Sequence, residues 1–152
     1  VIVVEQENKK LGFVGEPKMI LKEKIQAVIK KNFIPVLSPM GKDNNNQKFN
    51  INADTAAAAV AKSLKSRRLL LMTDVEGVYD ENKKLINEIK PIEAKKLIDK
   101  KIVQGGMIPK LLNSIDAIEN GVRGVVIIDG RKLLSILYEI FSDEGAGTLI
   151  RK

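Results

Sequence analysis

A chain of 152 residues, 44% of them hydrophobic, is long enough to bury one substantial core, which argues against disorder. With neither cysteine nor histidine it excludes disulfides, thiolate zinc sites, cysteine nucleophiles and Ser-His-Asp machinery, leaving Asp, Glu and Lys for any proton transfer. The net charge of +7 comes from scattered lysine pairs such as Lys83-Lys84 and Lys95-Lys96, and aromatics at 4% are too few for a base-stacking platform. The charge reads as solvated helix faces, with no nucleic-acid partner. No apolar run approaches the roughly 18 residues of a membrane span, so no membrane association is expected.

Val1 to Val4 reads as a strand already under way, and a chain starting with Val rather than Met is expected to be a fragment whose natural beginning is missing. Leu21, Ile25, Val28 and Ile29 recur at helical spacing after Pro17, which predicts a helix over Glu16 to Lys31. Phe33 to Ser38 is a short apolar run closed by Pro39, Gly41 and an Asp-Asn-Asn-Asn stretch, and reads as a buried strand followed by a loop. Asp54 to Leu64 is an alanine-rich helix. Leu69 to Met72 is a parallel strand buried on both faces, ending at Thr73-Asp74, and Val78 to Ile86 suggests a small hairpin or flap.

Helical spacing returns at Pro91 to Lys100 and at Pro109 to Asn120, each with proline at the first position. Val122 to Ile128 is a β-branched strand, Arg131 to Phe141 a helix, and Gly147 to Ile150 a closing strand. Strands alternating with helices predict an α/β fold, a three-layer αβα sandwich with a mostly parallel central sheet, in a single domain over residues 1–152. No linker or internal repeat is visible.

Ligands gather at the carboxyl ends of parallel strands, so polar residues directly after strands are the first candidates. Asn50 and Asn52 alternate with Ile51, placing both amides on one side of an extended segment, with Asp54 opening the next helix. A helix cap is the bland account of this segment; amides donating to a substrate carboxylate is the functional one. Thr73-Asp74-Val75-Glu76-Gly77-Val78-Tyr79 leaves a buried strand and turns at Gly77, where it is either a plain turn or the lining of an adenosine site. Gly105-Gly106-Met107-Ile108-Pro109-Lys110 puts two glycines before a helix and a lysine on its first turn. A lysine there opposes the helix dipole, which a nearby phosphate would relieve; otherwise it is a solvated lysine after a loop. No Walker A loop is present.

Taken together in order and spacing, Asn50 to Ala57, Thr73 to Tyr79 and Gly106 to Lys110 resemble the carboxyl-terminal half of acetylglutamate kinase, in the amino acid kinase family. Gly12 to Gly15, Ile127 to Arg131 and Gly147-Thr148 also fit, so the resemblance runs across nearly the whole chain. It implies an amino acid kinase-like fold that is incomplete at its amino-terminal side. The implied activity is transfer of the ATP γ-phosphoryl group to the side-chain carboxylate of N-acetyl-L-glutamate, in arginine biosynthesis in the cytoplasm, or in a plastid.

On that resemblance Lys110 stabilises the transition state, Asp54 orients the catalytic lysines, and Asn50 and Asn52 contact the substrate. Thr73, Asp74, Val75, Glu76, Gly77, Val78 and Tyr79, with Ile102, Val103 and Gln104, line the nucleotide, and Mg2+ arrives with the phosphates of ATP rather than on a protein metal site. Family members are about twice this length. The half not matched here carries a second catalytic lysine, a glycine-rich phosphate turn and a substrate-holding arginine, so the piece is expected to bind nucleotide without being active alone.

Glu139 and Gly145 match positions that contact an L-arginine feedback inhibitor in arginine-sensitive members, whereas Val126 stands where those members often carry histidine; the bland account makes Glu139 a solvent-facing helix residue. A homo-oligomer at full length and a nitrogen-signalling regulator are further partners implied by the resemblance. The alternatives are another amino acid kinase, acting on aspartate, glutamate, carbamate or a nucleoside monophosphate, and a non-catalytic nucleotide- or arginine-binding module.

Overall fold

The computed structural model describes residues 1–152, and the chain divides into two compact units, Val1–Leu64 and Lys65–Lys152, although no linker marks the boundary in the sequence.

In the first unit, strand β1 (Ile2–Gln6) pairs antiparallel with β2 (Gly15–Ile20) and parallel with β3 (Met40–Lys42), which pairs antiparallel with β4 (Lys48–Asn50). The order is β2-β1-β3-β4. Helices α1 (Lys22–Ile29) and α2 (Ala53–Leu64) belong to the same unit, whose core gathers Ile2, Val4, Phe49, Ile51 and Ala56. Alanines suit α2 because Ala56, Ala58 and Ala61 are buried and let the helix approach its neighbours closely.

Two expectations fail in this unit. Glu16 to Ile20 is strand, not helix; Pro17 sits opposite Val4 beside a register shift at Val3/Val4. Proline is tolerated there because β2 is an edge strand and need not donate to a further neighbour. Phe33 to Ser38 is neither strand nor buried, with Phe33, Ile34 and Val36 exposed by 66%, 89% and 92%. Pro35 removes a backbone donor from the segment and Pro39 another just beyond it, and no strand of the chain pairs with it. The Asp-Asn-Asn-Asn stretch is a hairpin turn between β3 and β4, where the Asp43 carboxylate accepts the amides of Asn45 and Gln47, each at 2.8 Å.

The second unit orders its strands β5-β7-β8-β6, with β5 (Leu69–Thr73), β6 (Glu88–Ile89), β7 (Val125–Asp129) and β8 (Gly147–Ile150). β5 and β7 run parallel in the register Leu69 with Val125 through Thr73 with Asp129, so both strands end side by side. All five residues of β7 are buried. Since side chains alternate between faces, both faces of this strand are covered, as a continuous β-branched run requires. Helices α4 (Met107–Glu119) and α5 (Ser135–Phe141) each touch β7, and α3 (Pro91–Asp99) packs on α4.

The α/β class holds, but the sheets are mixed rather than mostly parallel, since β7 and β8 are antiparallel. The helix expected from Arg131 begins only at Ser135, because Leu134 is left-handed at φ 61°. Helix α4 likewise starts two residues before Pro109. No helix of the chain is long and apolar enough to cross a membrane.

Candidate functional site

Asn50 is the last residue of β4, and it alternates as expected: Asn50 and Asn52 are exposed while Phe49 and Ile51 are buried. The Asn52 side-chain oxygen accepts the amides of Asp54 at 3.0 Å and Thr55 at 3.2 Å. Asn52 therefore caps α2, satisfying two of the donors a helix start leaves over. Asp54 lies in the first turn of α2, where a carboxylate suits the positive end of the helix.

In the second unit, the polar segment after β5 and the segment before α4 meet. Val75, Gly77, Val78 and Tyr79 from the first, with Ile102, Val103, Gln104 and Met107 from the second, line a small cleft of about 180 Å³. Its walls are mainly aliphatic with one aromatic ring, a lining that suits a flat heterocycle and leaves few polar groups to set its orientation. Thr73, Asp74 and Glu76, expected in the same lining, stand outside it: the Thr73 hydroxyl donates to Asp74 at 3.3 Å, and Glu76 is drawn to Lys132. The rest of the expected hairpin is present, closed by a Tyr79–Leu85 bridge and by Asp80 accepting the amides of Asn82 and Lys84.

Gly105 adopts φ +57°, a left-handed turn that favours glycine, and a side chain at either Gly105 or Gly106 would meet nothing within 4 Å. The backbone there faces open space. Lys110 is buried, 8% exposed, so it is not a solvated surface lysine. The first amides of α4 are less available than its position suggests: Met107 N–H bonds the Gln104 carbonyl at 3.3 Å, Ile108 N–H that of Gly105 at 3.2 Å, and Pro109 has none. Two of the first amides of this helix are thus already engaged, and Lys110 adds a cation to its first turn.

Glu139 is buried instead of facing solvent. Its carboxylate accepts from the Arg68 guanidinium at 2.6 Å and from the Ala146 amide at 2.8 Å. Gly145, at φ +73°, lines a second cavity of about 590 Å³ together with Lys132, Leu137, Tyr138 and Glu144, whereas Glu139 is not among its walls. The two positions are nonetheless neighbours, since a Cβ on Gly145 would stand 3.1 Å from Glu139 Oε2.

A cluster to which the sequence reading gave no role stands at the end of β7. The buried Asp129 carboxylate makes a two-pronged pair with Arg131, at 3.0 Å to Nε and 2.9 Å to Nη2, and accepts the Arg131 amide at 2.9 Å. These bonds, the guanidinium foremost, hold Asp129 at a pKa of about 2. The signal was available, because Asp129 comes directly after the apolar run Val125 to Ile128. No group of three or more carboxylates stands together in a way that could hold a metal ion.

Comparison with known proteins resolves the family. Residues 2–129 match the model of the amino acid kinase family. The chain belongs to that family. It is 56% identical over its whole length to an acetylglutamate kinase of Pelagibacter ubique, covering 53% of that protein. An N-acetylglutamate synthase from Neisseria gonorrhoeae superposes over 99% of the chain and 36% of its own, with a TM-score of 0.91 at 23% identity. A carbamate kinase from Giardia lamblia superposes over 99% and 59%, with a TM-score of 0.76 at 21% identity. These two share the amino acid kinase fold. The chain spans about half the length of the curated relatives it matches.

Proposed function

We propose that this chain is the nucleotide-binding half of an acetylglutamate kinase, which phosphorylates the side-chain carboxylate of N-acetyl-L-glutamate at the expense of ATP, in arginine biosynthesis in the cytoplasm. The observation that carries the reading is the cleft that joins residues 75–79 to residues 102–107, two segments far apart in sequence. The 56% identity to an acetylglutamate kinase supports this substrate over aspartate, carbamate or nucleotide acceptors.

The chemistry suits a chain without histidine or cysteine. An ionised carboxylate oxygen attacks the γ-phosphorus, the bond from phosphorus to the β–γ bridging oxygen breaks, and ADP leaves with that electron pair. No proton has to move. Catalysis is then positioning and neutralisation of charge on the transferring group, the work assigned to the buried ammonium of Lys110. Asn50 and Asp54 keep the roles the resemblance implies, while Asn52 acts on the substrate only through the helix start it caps. ATP brings the phosphoryl group, and Mg2+ enters with its phosphates.

Titration calorimetry tests the reading directly. The chain is expected to bind MgADP or MgATP weakly, and a folded chain that binds neither would overturn the site. Replacing the matching 53% of the Pelagibacter relative with this chain and screening acceptors tests the substrate: turnover with N-acetyl-L-glutamate is expected, and preference for another acceptor would overturn it. An L-arginine effector site, if built here, belongs to the larger cavity with Gly145 and acts on Glu139 through the Ala146 amide; saturable arginine binding lost in Gly145→Val would support it.

A further inference from the structure

The loop that walls the cleft is held from outside by residues that do not line it. Gly130 N–H bonds the Thr73 carbonyl at 2.8 Å, fixing the point where the loop leaves β5. Lys132 Nζ pairs with Glu76 Oε1 at 2.5 Å, and Glu76 Oε2 accepts from the Tyr79 hydroxyl at 3.2 Å. Lys132 thus acts, through Glu76, on an aromatic ring that does line the cleft. Thr148, in β8 and fully buried, accepts the Val78 amide at 2.8 Å and donates to the Ile86 carbonyl at 2.6 Å. Its hydroxyl uses both its donor and its acceptor capacity, joining the two arms of the hairpin to the sheet.

Gly77 completes the arrangement. A Cβ there would stand 2.5 Å from Thr148 Oγ1 and 3.1 Å from the Thr148 amide nitrogen, so a side chain would push the loop off this support. Without the hydroxyl, the Val78 amide is a buried donor lacking its partner, which costs far more than an ordinary hydrogen bond returns. Lys132 is half exposed, and an exposed pair alone contributes little. Here the pair has a second consequence, because Tyr79 shares the same carboxylate.

We propose that Thr148 and Lys132 are positioning residues that hold loop 73–79 in the shape that accepts a nucleotide. Thr148 fixes the backbone at Val78, and Lys132 fixes the ring of Tyr79 through Glu76. The proposal rests on the reading of the cleft as a nucleotide site, and it adds two residues that touch no nucleotide.

Two measurements on the 152-residue chain test it: amide hydrogen exchange over residues 76–79 and calorimetry with MgADP. Thr148→Val is expected to speed exchange at Val78 and weaken MgADP binding, each by about tenfold, the scale of an unsatisfied buried amide. Thr148→Ser, which restores the hydroxyl, should return both to within about threefold of the parent. Lys132→Ala should weaken MgADP by about two- to fivefold, with the exchanged pair E76K/K132E recovering part of the loss. Lys132 is a surface position, so that variant carries the test if Thr148→Val does not fold.

Unchanged loop exchange, or faster exchange with parental MgADP affinity, would overturn the proposal alone. Failure of Ser to restore binding would reduce Thr148 to packing and overturn its role. A parent chain that binds no MgADP would overturn the site reading and this proposal together, which keeps the two failures apart.

Discussion

The segment Asn50–Asp54 and the segment Thr73–Tyr79 both follow strands and both carry polar side chains, yet their polar groups are satisfied at very different ranges. Asn52 serves the amides of Asp54 and Thr55, two and three residues away. Glu76 is held by Lys132 and the Val78 amide by Thr148, 56 and 70 residues away. The first segment builds a helix start that would survive much change elsewhere. The second depends on the turn that follows β7 and on Thr148 within β8. A polar residue after a strand is thus ambiguous by itself, and its partners reveal whether it belongs to a local cap or to a loop supported from a distance.

The largest effect is expected at the third segment, at Lys110. Charge spreads over the transferring oxygens in the transition state, so a cation aimed there lowers the barrier more than it strengthens ground-state binding. In the Pelagibacter chimera, Lys110→Ala should lower kcat by on the order of 10²–10³-fold, the effect of removing one preorganised donor, with far less change in nucleotide affinity. Lys110→Arg should not rescue fully, since a planar fork cannot occupy the place of a compact ammonium. Because Lys110 is buried, Lys110→Met controls for packing. If kcat persists in Ala and Met, the phosphate assignment fails.

Next in size is a pair of glycine substitutions. Gly77→Ala meets Thr148 Oγ1 and the Leu85 side chain, at 2.5 and 2.9 Å, and should cost about 1–3 kcal/mol as overpacking. Gly106→Ala meets nothing within 4 Å and sits in the right-handed helical region at φ −65°, so its stability should stay within about 0.5 kcal/mol. Urea denaturation measures both. Equal midpoints would mean that the loop has slack where the structure shows contact.

The same contrast explains what the sequence made legible. The alternation Asn50-Ile51-Asn52, the helix α2, and the paired strands β5 and β7 are written in local patterns, and they stand where expected, except that β7 begins at Val125 rather than Val122. Local pattern misread Glu16 to Ile20, because edge pairing with β1 overrides helical spacing and accommodates Pro17. It also misread Phe33 to Ser38, where an apolar run met two prolines and no partner strand. The burial of Glu139 by Arg68, and the anchoring of Glu76 and Val78, are contacts between distant residues that no periodicity encodes. Asp129 is different: a carboxylate directly after an apolar β-branched run is visible in the sequence.

The cap itself offers a smaller and more local test. Asn52→Ala should cost about 1 kcal/mol, the usual loss of a helix N-cap, and Asn52→Asp or Asn52→Ser should recover most of it. Exchange protection should fall in the first turn of α2 and stay parental in loop 73–79. Loss of protection in both would mean that the two segments are not independently satisfied, and the contrast between local and distant support would fail.

The smallest effect is confined to acid pH and concerns the turn after β7, from which Gly130 reaches loop 73–79. The Asp129 carboxylate is held at about 2 against an ordinary value of 3.8, chiefly by the Arg131 side chain and then by the Arg131 amide. A carboxylate depressed on folding binds its proton more readily in the unfolded chain. Its contribution is therefore fully present above the unfolded value and fades as pH falls through the folded one. For Asp129 that window runs from about pH 4 down to about pH 2. Asp129→Asn removes this titration, so its stability should decline less steeply than the parent's across that window, while the difference between the two stays constant above about pH 5. Glu76 is also depressed by its pair with Lys132, so both proteins will lose stability in acid. The difference between their curves isolates Asp129. Denaturation midpoints measured at successive pH values that ran parallel from neutral pH down to about pH 2 would show that the Asp129–Arg131 pair is no stronger in the folded chain than in the unfolded one, and the turn would lose its claim to be a fixed support for the loop.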